Sequence, residues 1–434
     1  MRQCRDSEPP RGASDMPPGR RSAWVAWLSA DGRLLLVARA LRTFGYGYLA
    51  VVLGLYLEAL GLDPVVIGLI LAAAVAGSAV MTVAWSLVAD RYGRRRTAMT
   101  MAALMAVGGI GFALAENPLL LLLAAFTGTI SATSSEVGIF NTIDQAVLPQ
   151  TTAAPHRTWA FSVYNLVGAA SGAVGALAAG SISVFVALGL EGADAYRPLF
   201  VLYAAIALAN LALFSLLSPA VELARIDGER RLVGIGPSGP IVARLAALFA
   251  LDAFAGGFVV LAFVSYWFSL RWGLSPDALG LVFFAAGALS GLSFLAAGWL
   301  AGRIGLLNTM VFTHLPSNVV LMLVAVAPSA ELAVTLFLLR QSVSQMDVPT
   351  RQAYSMALVT PAERTATAGI TNVARAVATS VSPILSGWAV SAAALGLPFF
   401  LAGGLKIAYD LLVFASFRGI PLAAEDQPMW SRQS

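Results

Sequence analysis

The sequence predicts an all-α membrane protein with twelve transmembrane helices in two pseudo-symmetric six-helix bundles. Three observations lead to this fold class: a very apolar composition, twelve apolar runs of spanning length, and an internal repeat that relates the two halves. The runs lack the period-two alternation of barrel strands. Helices, which satisfy their own backbone hydrogen bonds, are therefore the expected spanning element.

Composition makes lipid the main surroundings of the chain. Of its 434 residues, 58% are hydrophobic and only 12% are charged, whereas soluble domains are about a quarter charged. The net charge of +4 comes from basic residues in loops beside apolar runs, a pattern of membrane topology that gives no reason to expect nucleic acid. One cysteine and no phosphate-binding Gly-Lys-Ser/Thr loop predict no metal site or cofactor, and disfavour ATP-driven transport.

The apolar runs divide the chain into five regions. We expect a disordered cytoplasmic leader at 1–33, an N-terminal six-helix bundle at 34–217, a cytoplasmic linker at 218–240, a C-terminal bundle at 241–417 and a cytoplasmic tail at 418–434. A spanning helix needs about 20 apolar residues. The predicted spans are 35–58, 65–88, 97–115, 118–141, 158–187, 197–217, 242–269, 278–301, 308–327, 330–346, 365–390 and 396–416.

Loop charge predicts the orientation. If both termini are cytoplasmic, 20 of the 27 Arg and Lys residues fall on the inner side, and only Arg197 and Arg271 fall on the outer side. The other five lie inside predicted spans. Such an excess is the positive-inside signal. We therefore expect a multi-pass protein of the cell inner (plasma) membrane.

Two blocks of the first half recur in the second. Gly61-Leu62-Asp63-Pro64 matches Gly273-Leu274-Ser275-Pro276, and Gly93 matches Gly305, in each case 212 residues later. A second block, in which Gln145-Ala146 matches Gln352-Ala353, recurs after 207 residues. Blocks in the same order at nearly one offset indicate a duplicated six-helix unit. Convergent loop chemistry is the alternative explanation.

The loop between the second and third spans reads Ser86-Leu87-Val88-Ala89-Asp90-Arg91-Tyr92-Gly93-Arg94-Arg95. It resembles the signature Gly-x-Leu-Ala-Asp-Arg-x-Gly-Arg-Arg of the major facilitator superfamily, with Ser86 in place of the first Gly. The resemblance implies alternating access, with this loop acting as a latch of the outward-open state. The implied gating residues are Asp90, Arg91, Gly93 and Arg94, with Arg303 and Gly305 in a second copy where Gly302 replaces Asp. A plain topogenic loop would explain only the arginines.

A glycine-rich fifth span adds a partial likeness to exporters. Gly168, Gly172, Gly175 and Gly180 are similar to the glycines of drug/proton antiporters in this superfamily, but the Gly-Pro step of those proteins is absent. Close packing of helices through small residues explains the glycines equally well. We also expect Asp347 and Arg351, after the tenth span, to gate the inner mouth together with Arg157 and Arg364. A capping and turn role would need only Asp347 and Pro349.

Ionisable residues inside spans are costly and are usually functional. Lys406 and Asp410 are four residues apart, so a pair on their own helix is expected. Arg39 and Arg42 share one helix face and could meet Asp252 across the cavity. The candidates for substrate binding or proton coupling are Arg39, Arg42, Glu136, Asp252, Arg340, Arg375, Lys406 and Asp410.

Glu136 is the expected proton site. It lies within the fourth predicted span with no opposite charge within one helical turn, and desolvation favours the protonated form of a carboxyl group. A structural salt bridge to Arg39 or Arg42 is the alternative. His314 is expected to be a packing or loop histidine.

Tyr46 and other aromatic residues of the first and seventh spans would give a cavity suited to a lipophilic substrate, or would face lipid. The sequence thus predicts a transporter and no enzyme, a monomer whose partners are the bilayer, a small-molecule substrate and protons. Proton-coupled export of a small organic or lipophilic compound is the leading hypothesis. The alternatives are proton-coupled transport of an anionic metabolite, and a non-transporting sensor or scaffold with the same fold.

Overall fold

A computed structural model describes residues 28–133, 138–151, 157–222, 238–360 and 363–420. The side chains of 86–91, 157–159 and 364–366 also lie outside the described part. The helices of the first half are α1 (Ala30–Ala59), α2 (Pro64–Tyr92), α3 (Arg94–Leu114), α4 (Pro118–Phe126), α5 (Ile139–Val147), α6 (Arg157–Leu177), α7 (Ser181–Ala187) and α8 (Arg197–Ser215).

The helices of the second half also group into six spans. They are α9 (Gly239–Gly257), α10 (Leu261–Trp272), α11 (Pro276–Ile304), α12 (Leu306–Val326), α13 (Ala330–Ser344), α14 (Asp347–Ala357), α15 (Arg364–Ser391) and α16 (Leu397–Phe417). The predicted fold class, twelve spans in two six-helix bundles, is confirmed. We call the end of the bundles that holds the start of α1 and the end of α16 the terminal face, and the other end the opposite face.

Ten helical stretches of the described residues are long and apolar enough to cross a bilayer. The other two spans, the fourth and the tenth, occupy equivalent places in the two halves and are both broken. The fourth consists of α4 and α5, and the tenth of α13 and α14. The prediction of the fourth span as one helix is wrong, because small and apolar residues continue through its break. The predicted end of the tenth span at 346 is also wrong, because the helix that follows, α14, is rich in polar residues.

Two glycines bound the break in the fourth span. Gly128 has a φ of +70° and Gly138 a φ of +132°, and both lie in the region that side chains rarely enter. Gly128 also packs against the backbone of α2, where an added Cβ would lie 2.5 Å from the carbonyl oxygen of Gly77. Close approach to α2 therefore requires glycine here. In the tenth span, Pro349 lies in the first turn of α14, where its missing N–H is no loss.

The repeat predicted from the sequence has matching local geometry. Gly93 and Gly305 both have positive φ, at 104° and 86°, and both precede a helix. Thr97 and Thr309 donate from their hydroxyls to the carbonyl oxygens of these glycines, at 2.9 and 2.8 Å. The two loops are thus built alike, although their side chains differ in charge.

The first span begins earlier than predicted, at Ala30 instead of 35. Ser29 caps the helix by accepting a hydrogen bond from the Gly32 amide (3.2 Å), and Asp31 lies in the first turn, where the helix dipole favours a negative charge. Asp31 also accepts hydrogen bonds from the amide and the hydroxyl of Ser218 at the end of the sixth span. A polar cap can therefore extend a helix beyond its apolar run.

The described hydrogen bonds between the two halves all lie in the middle of the bundles or towards the opposite face. Ser265 donates to the carbonyl oxygen of Val51 (2.6 Å), the Ala262 amide donates to Ala132 (3.1 Å), and Ser183 binds Asp277. Glycines let the helices meet here. An added Cβ would lie 2.4 Å from Pro383 O at Gly68 and 2.2 Å from Pro64 O at Gly387.

We expect Gly387→Ala to open the opposite face. The new methyl group would meet the Pro64 carbonyl oxygen at 2.2 Å, so α2 and α15 must separate. The measurement is the alkylation rate of Ser265→Cys, a residue buried between the halves, in a chain whose Cys4 is replaced by Ser. The rate should rise several-fold.

The matched control is Gly369→Ala, in the same helix, where an added Cβ meets nothing within 4 Å. Equal alkylation rates in the two variants would show that the glycine contact does not hold the halves together.

Candidate functional site

The first half contains a buried ion pair between its first and fourth spans. Arg42 Nη2 lies 2.6 Å from Asp144 Oδ2, and the two side chains are 0% and 1% exposed. Asp144 also accepts a hydrogen bond from the Tyr164 hydroxyl (2.9 Å), and Arg42 donates to Asn210 Oδ1 (3.2 Å). The guanidinium of Arg39 stacks 3.6 Å from the centroid of the Tyr164 ring. Four spans thus meet at one charged centre.

The second half contains a larger network around Asp252, on α9. One carboxylate oxygen accepts from Lys406 Nζ at 2.5 Å, and the other accepts from Arg351 at 3.0 Å and from Arg375 at 2.9 Å. Asp252 is 2% exposed. Because its three cations come from α16, α14 and α15, this single carboxylate connects four helices of the C-terminal bundle.

Two of these cations lie near a further carboxylate. Arg351 also binds Asp347, one turn earlier on α14, at 2.8 Å. Lys406 lies one turn before Asp410 on α16. Asp410 itself binds His314 Nδ1 (2.9 Å) and the side-chain amide of Asn318 (3.0 Å) on α12.

The two ion pairs occupy equivalent positions with their charges exchanged. Asp144 precedes Gln145-Ala146 and Arg351 precedes Gln352-Ala353, so the repeat relates these two residues. In the first half the fourth span supplies the acid and the first span the base. In the second half the tenth span supplies the base, and Asp252 of the seventh span is the acid. An ion pair therefore joins α5 of the fourth span to α1, and another joins α14 of the tenth span to α9.

The repeat also relates Gly168 to Arg375, 207 residues later. An added Cβ at Gly168 would lie 2.6 Å from Arg39 Nε. The guanidinium of Arg39 therefore fills the space beside Gly168. The counterpart of Gly168 in the second half, Arg375, is itself an arginine. Both halves place a second arginine next to the central ion pair, from different helices.

Two pairings expected from the sequence are wrong. Lys406 binds Asp252 and not Asp410, because Asp410 is turned towards α12 and bound by His314 and Asn318. Arg42 does not meet Asp252 across a cavity, because each has a partner inside its own half. Local helix spacing identified the charged residues but could not identify partners from other helices.

The proposed gating residues fall into three groups. Asp347 and Arg351 are buried, at 4% and 9% exposure, inside the Asp252 network, so Arg351 does not belong among the loop charges. Gly93, Arg94, Arg303 and Gly305 lie on the terminal face. The side chains of Asp90, Arg91, Arg157 and Arg364 lie outside the described part of the structure. Glu136, the expected proton site, also lies outside it.

Two glutamates organise the terminal face. Glu222 accepts hydrogen bonds from the amides of Arg94 (2.7 Å) and Arg95 (3.2 Å) at the start of α3. Glu363 accepts from the Ser238 hydroxyl (2.6 Å) and the Thr360 hydroxyl (2.7 Å). Hydrogen bonds from Ser238 and then Thr360 stabilise the ionised form and lower the pKa of Glu363 to about 2. Neither residue stood out in the sequence.

The aromatic residues of the first and seventh spans are mostly core residues. Tyr48 and Tyr56 donate to the carbonyl oxygens of Leu199 (3.1 Å) and Phe112 (2.6 Å), and Trp267 donates to Leu395 (2.8 Å). Tyr46 is 4% exposed and packs near Tyr203. These contacts lie within single halves, so the rings give little support to an aromatic cavity.

Four residues of the two ion centres were not expected from the sequence: Asp144, Tyr164, Asn210 and Asn318. Asp144 lay just beyond the predicted end of the fourth span, and so it was not counted as an intramembrane charge. Its position before the repeated Gln-Ala pair, opposite Arg351, was a signal that could have identified it. The expectation of a packing or loop histidine at His314 did not include its contact with Asp410.

We expect Asp144→Asn to lower the free energy of unfolding by about 3 kcal/mol, because Arg42 would keep its buried charge without the carboxylate. Adding Arg42→Gln should restore part of this loss. The measurement is denaturant unfolding of the purified protein followed by tryptophan fluorescence.

The matched control is Asp194→Asn, which removes an acid from the exposed pair with Arg197 (3.1 Å) and should cost less than about 1 kcal/mol. If Asp144→Asn and Asp194→Asn lowered the free energy of unfolding equally, the buried ion pair would not be a main contribution to stability.

Comparison with known proteins agrees with this architecture. The membrane protein YJR124C of Saccharomyces cerevisiae is 28% identical over 435 residues, covering 92% of this chain and 96% of the relative. The crystal structure of the nucleoside transporter NupG matches with a TM-score of 0.71 at 14% identity, over 90% of this chain and 99% of the other. The D-xylose-proton symporter matches with a TM-score of 0.70 at 16% identity, over 90% and 98%.

At these identities the solved structures show a shared fold alone. A family model described as Major Facilitator Superfamily matches residues 35–339, which is more than half of the chain. Together with the two related six-helix halves, this match shows that the chain belongs to the Major Facilitator Superfamily, a family of transporters and not of enzymes.

Proposed function

We propose that this chain is a proton-coupled secondary transporter that moves a small organic solute by alternating access. The observation that carries the proposal is the pair of equivalent ion centres, one buried in the middle of each half. Intramembrane charge is expensive and is usually retained where a transport path needs it. Two such centres at positions related by the repeat suit a solute path between the halves.

The packing between the halves supports an inward-facing state. We place both termini in the cytoplasm of a cell whose inner (plasma) membrane holds the protein as a monomer, following the charge of the loops. The opposite face is then extracellular. The described hydrogen bonds between the halves lie in the middle and on that side, and glycine contacts hold α2 against α15 there. Separation of these contacts would give the outward-facing state.

Two substrate classes are considered for the solute. An aromatic cavity would favour export of a lipophilic compound. However, Tyr48, Tyr56 and Trp267 form hydrogen bonds within their own halves. Transport of an anion is favoured by the charge of the second network. Arg340, Arg351, Arg375 and Lys406 are four cations against three carboxylates, Asp252, Asp347 and Asp410, which leaves one positive charge in excess when His314 is neutral.

Reconstitution tests the transport function. In proteoliposomes with an imposed pH gradient, we expect solute flux that depends on the gradient and disappears when a protonophore collapses it. The panel pairs organic acids with their neutral amides and includes a lipophilic dye. Flux of none of these compounds through correctly inserted protein would contradict the proposal and would favour a sensor or scaffold.

Glu136→Gln tests the proton site. A glutamine cannot take up a proton, so we expect flux that no longer responds to the pH gradient while exchange of solute for solute continues. The measurement compares gradient-driven uptake with counterflow in the same vesicles.

The control is Glu191→Gln, an exposed acid of a loop, which should leave both rates unchanged. Continued dependence on the gradient in Glu136→Gln would assign the coupling proton to another residue.

A further inference from the structure

The three cations around Asp252 differ in how much they depend on it. Arg351 keeps a second carboxylate, Asp347, at 2.8 Å. Lys406 makes its described ion pair with Asp252, and Asp410, one helical turn away on the same helix, also interacts with it electrostatically. For Arg375, Asp252 is the carboxylate partner that the structure describes. If Asp252 moved away, Arg375 would lose more than its two neighbours.

Exposure separates Arg375 from the same neighbours. Its side chain is 28% exposed, whereas those of Arg351 and Lys406 are 10% and 9% exposed. Arg375 is therefore the one of the three cations that a solute can reach while the other two remain enclosed. Of the three cations, Arg375 has the most exposed side chain and the fewest carboxylates around it among the described residues.

The network carries more positive than negative charge. Arg340, at the end of α13, interacts electrostatically with Asp252 and Asp347, and its buried Nε has no hydrogen-bond partner among the described residues. With Arg340 included, the network has one positive charge in excess of its three carboxylates. A single added negative charge would neutralise it.

We propose that Arg375 is the anchor for a small organic carboxylate, and that Asp252 occupies the same guanidinium while the site is empty. This inference rests on the proposed transport function and adds the substrate class and its anchoring residue. The substrate carboxylate replaces Asp252 on Arg375. Asp252 keeps Lys406 and Arg351, so no charge is left without a partner. Because one carboxylate is exchanged for another, the guanidinium of Arg375 always has an anionic partner, and the cost of an uncompensated charge is avoided.

An internal competitor weakens apparent affinity in proportion to its occupancy of the site. Asp252→Asn keeps the shape of the side chain and removes the competing charge. We therefore expect the variant to bind carboxylates more tightly, by about tenfold or more. Arg375→Gln should abolish binding, and Arg375→Lys should weaken it, because lysine cannot form the two parallel bonds of a guanidinium.

The experiment measures thermal stabilisation of the purified full-length protein, since a ligand that binds the folded state raises its melting temperature. The probes are benzoate, succinate, inorganic phosphate and, as the neutral counterpart of benzoate, benzamide. Each is titrated against the wild type, Asp252→Asn, Arg375→Gln and Arg375→Lys. The matched control is Glu116→Gln, which removes the carboxylate from another arginine, Arg197 (2.6 Å), at an exposed pair far from the network.

Tighter benzoate binding in Asp252→Asn, no binding in Arg375→Gln and no change in Glu116→Gln would support the inference. Equal benzoate affinity in the wild type and Asp252→Asn would overturn it, as would stabilisation by benzamide or by phosphate alone. Should Arg375→Gln or Asp252→Asn fail to fold, the affinity of Arg375→Lys decides: weaker benzoate binding than in the wild type supports the inference, and unchanged binding overturns it. If solute flux follows the pH gradient but no carboxylate stabilises the protein, the inference about Arg375 is contradicted and the proposed transport function is not. If no solute moves at all, the proposed transport function is itself contradicted.

Discussion

A carboxylate buried among apolar helices must be neutralised by partners from those helices, and Asp252 is where this constraint acts most strongly. Removing an ion from water costs several kcal/mol even after relaxation, so the gain must come from well-placed opposite charge. Asp252 receives three cations at 2.5 to 3.0 Å from α14, α15 and α16. These ion pairs join the three helices to α9.

The same constraint explains why the halves resemble each other without sharing a charge pattern. Each half needs one buried pair to tie its broken span to its first helix, and either order of charges meets that need. Arg42 with Asp144 and Asp252 with Arg351 are the two orders. The duplication preserved the place of the pair, while the charge around it diverged. The second half thereby carries an excess of one positive charge when His314 is neutral.

Apolar run length was enough to predict the number of spans and the fold class, because it depends on local composition, and matching sequence blocks were enough to predict the repeat. Local composition could not predict the break at Gly128, which requires contact with Gly77 on another helix. It also could not predict that Lys406 binds Asp252 while His314 binds Asp410, since spacing along one helix favoured Lys406 with Asp410. Partners from distant parts of the chain are decided by packing.

Alternating access requires the two halves to move against each other about their ion centres. Distances between spin labels test this directly, with Arg96 and Arg303 labelled on the terminal face, and Asp194 and Arg271 on the opposite face, all exposed positions. Between acidic and neutral pH, we predict that one distance lengthens while the other shortens. Two distances that stay fixed, or that change in the same direction, would contradict alternating access.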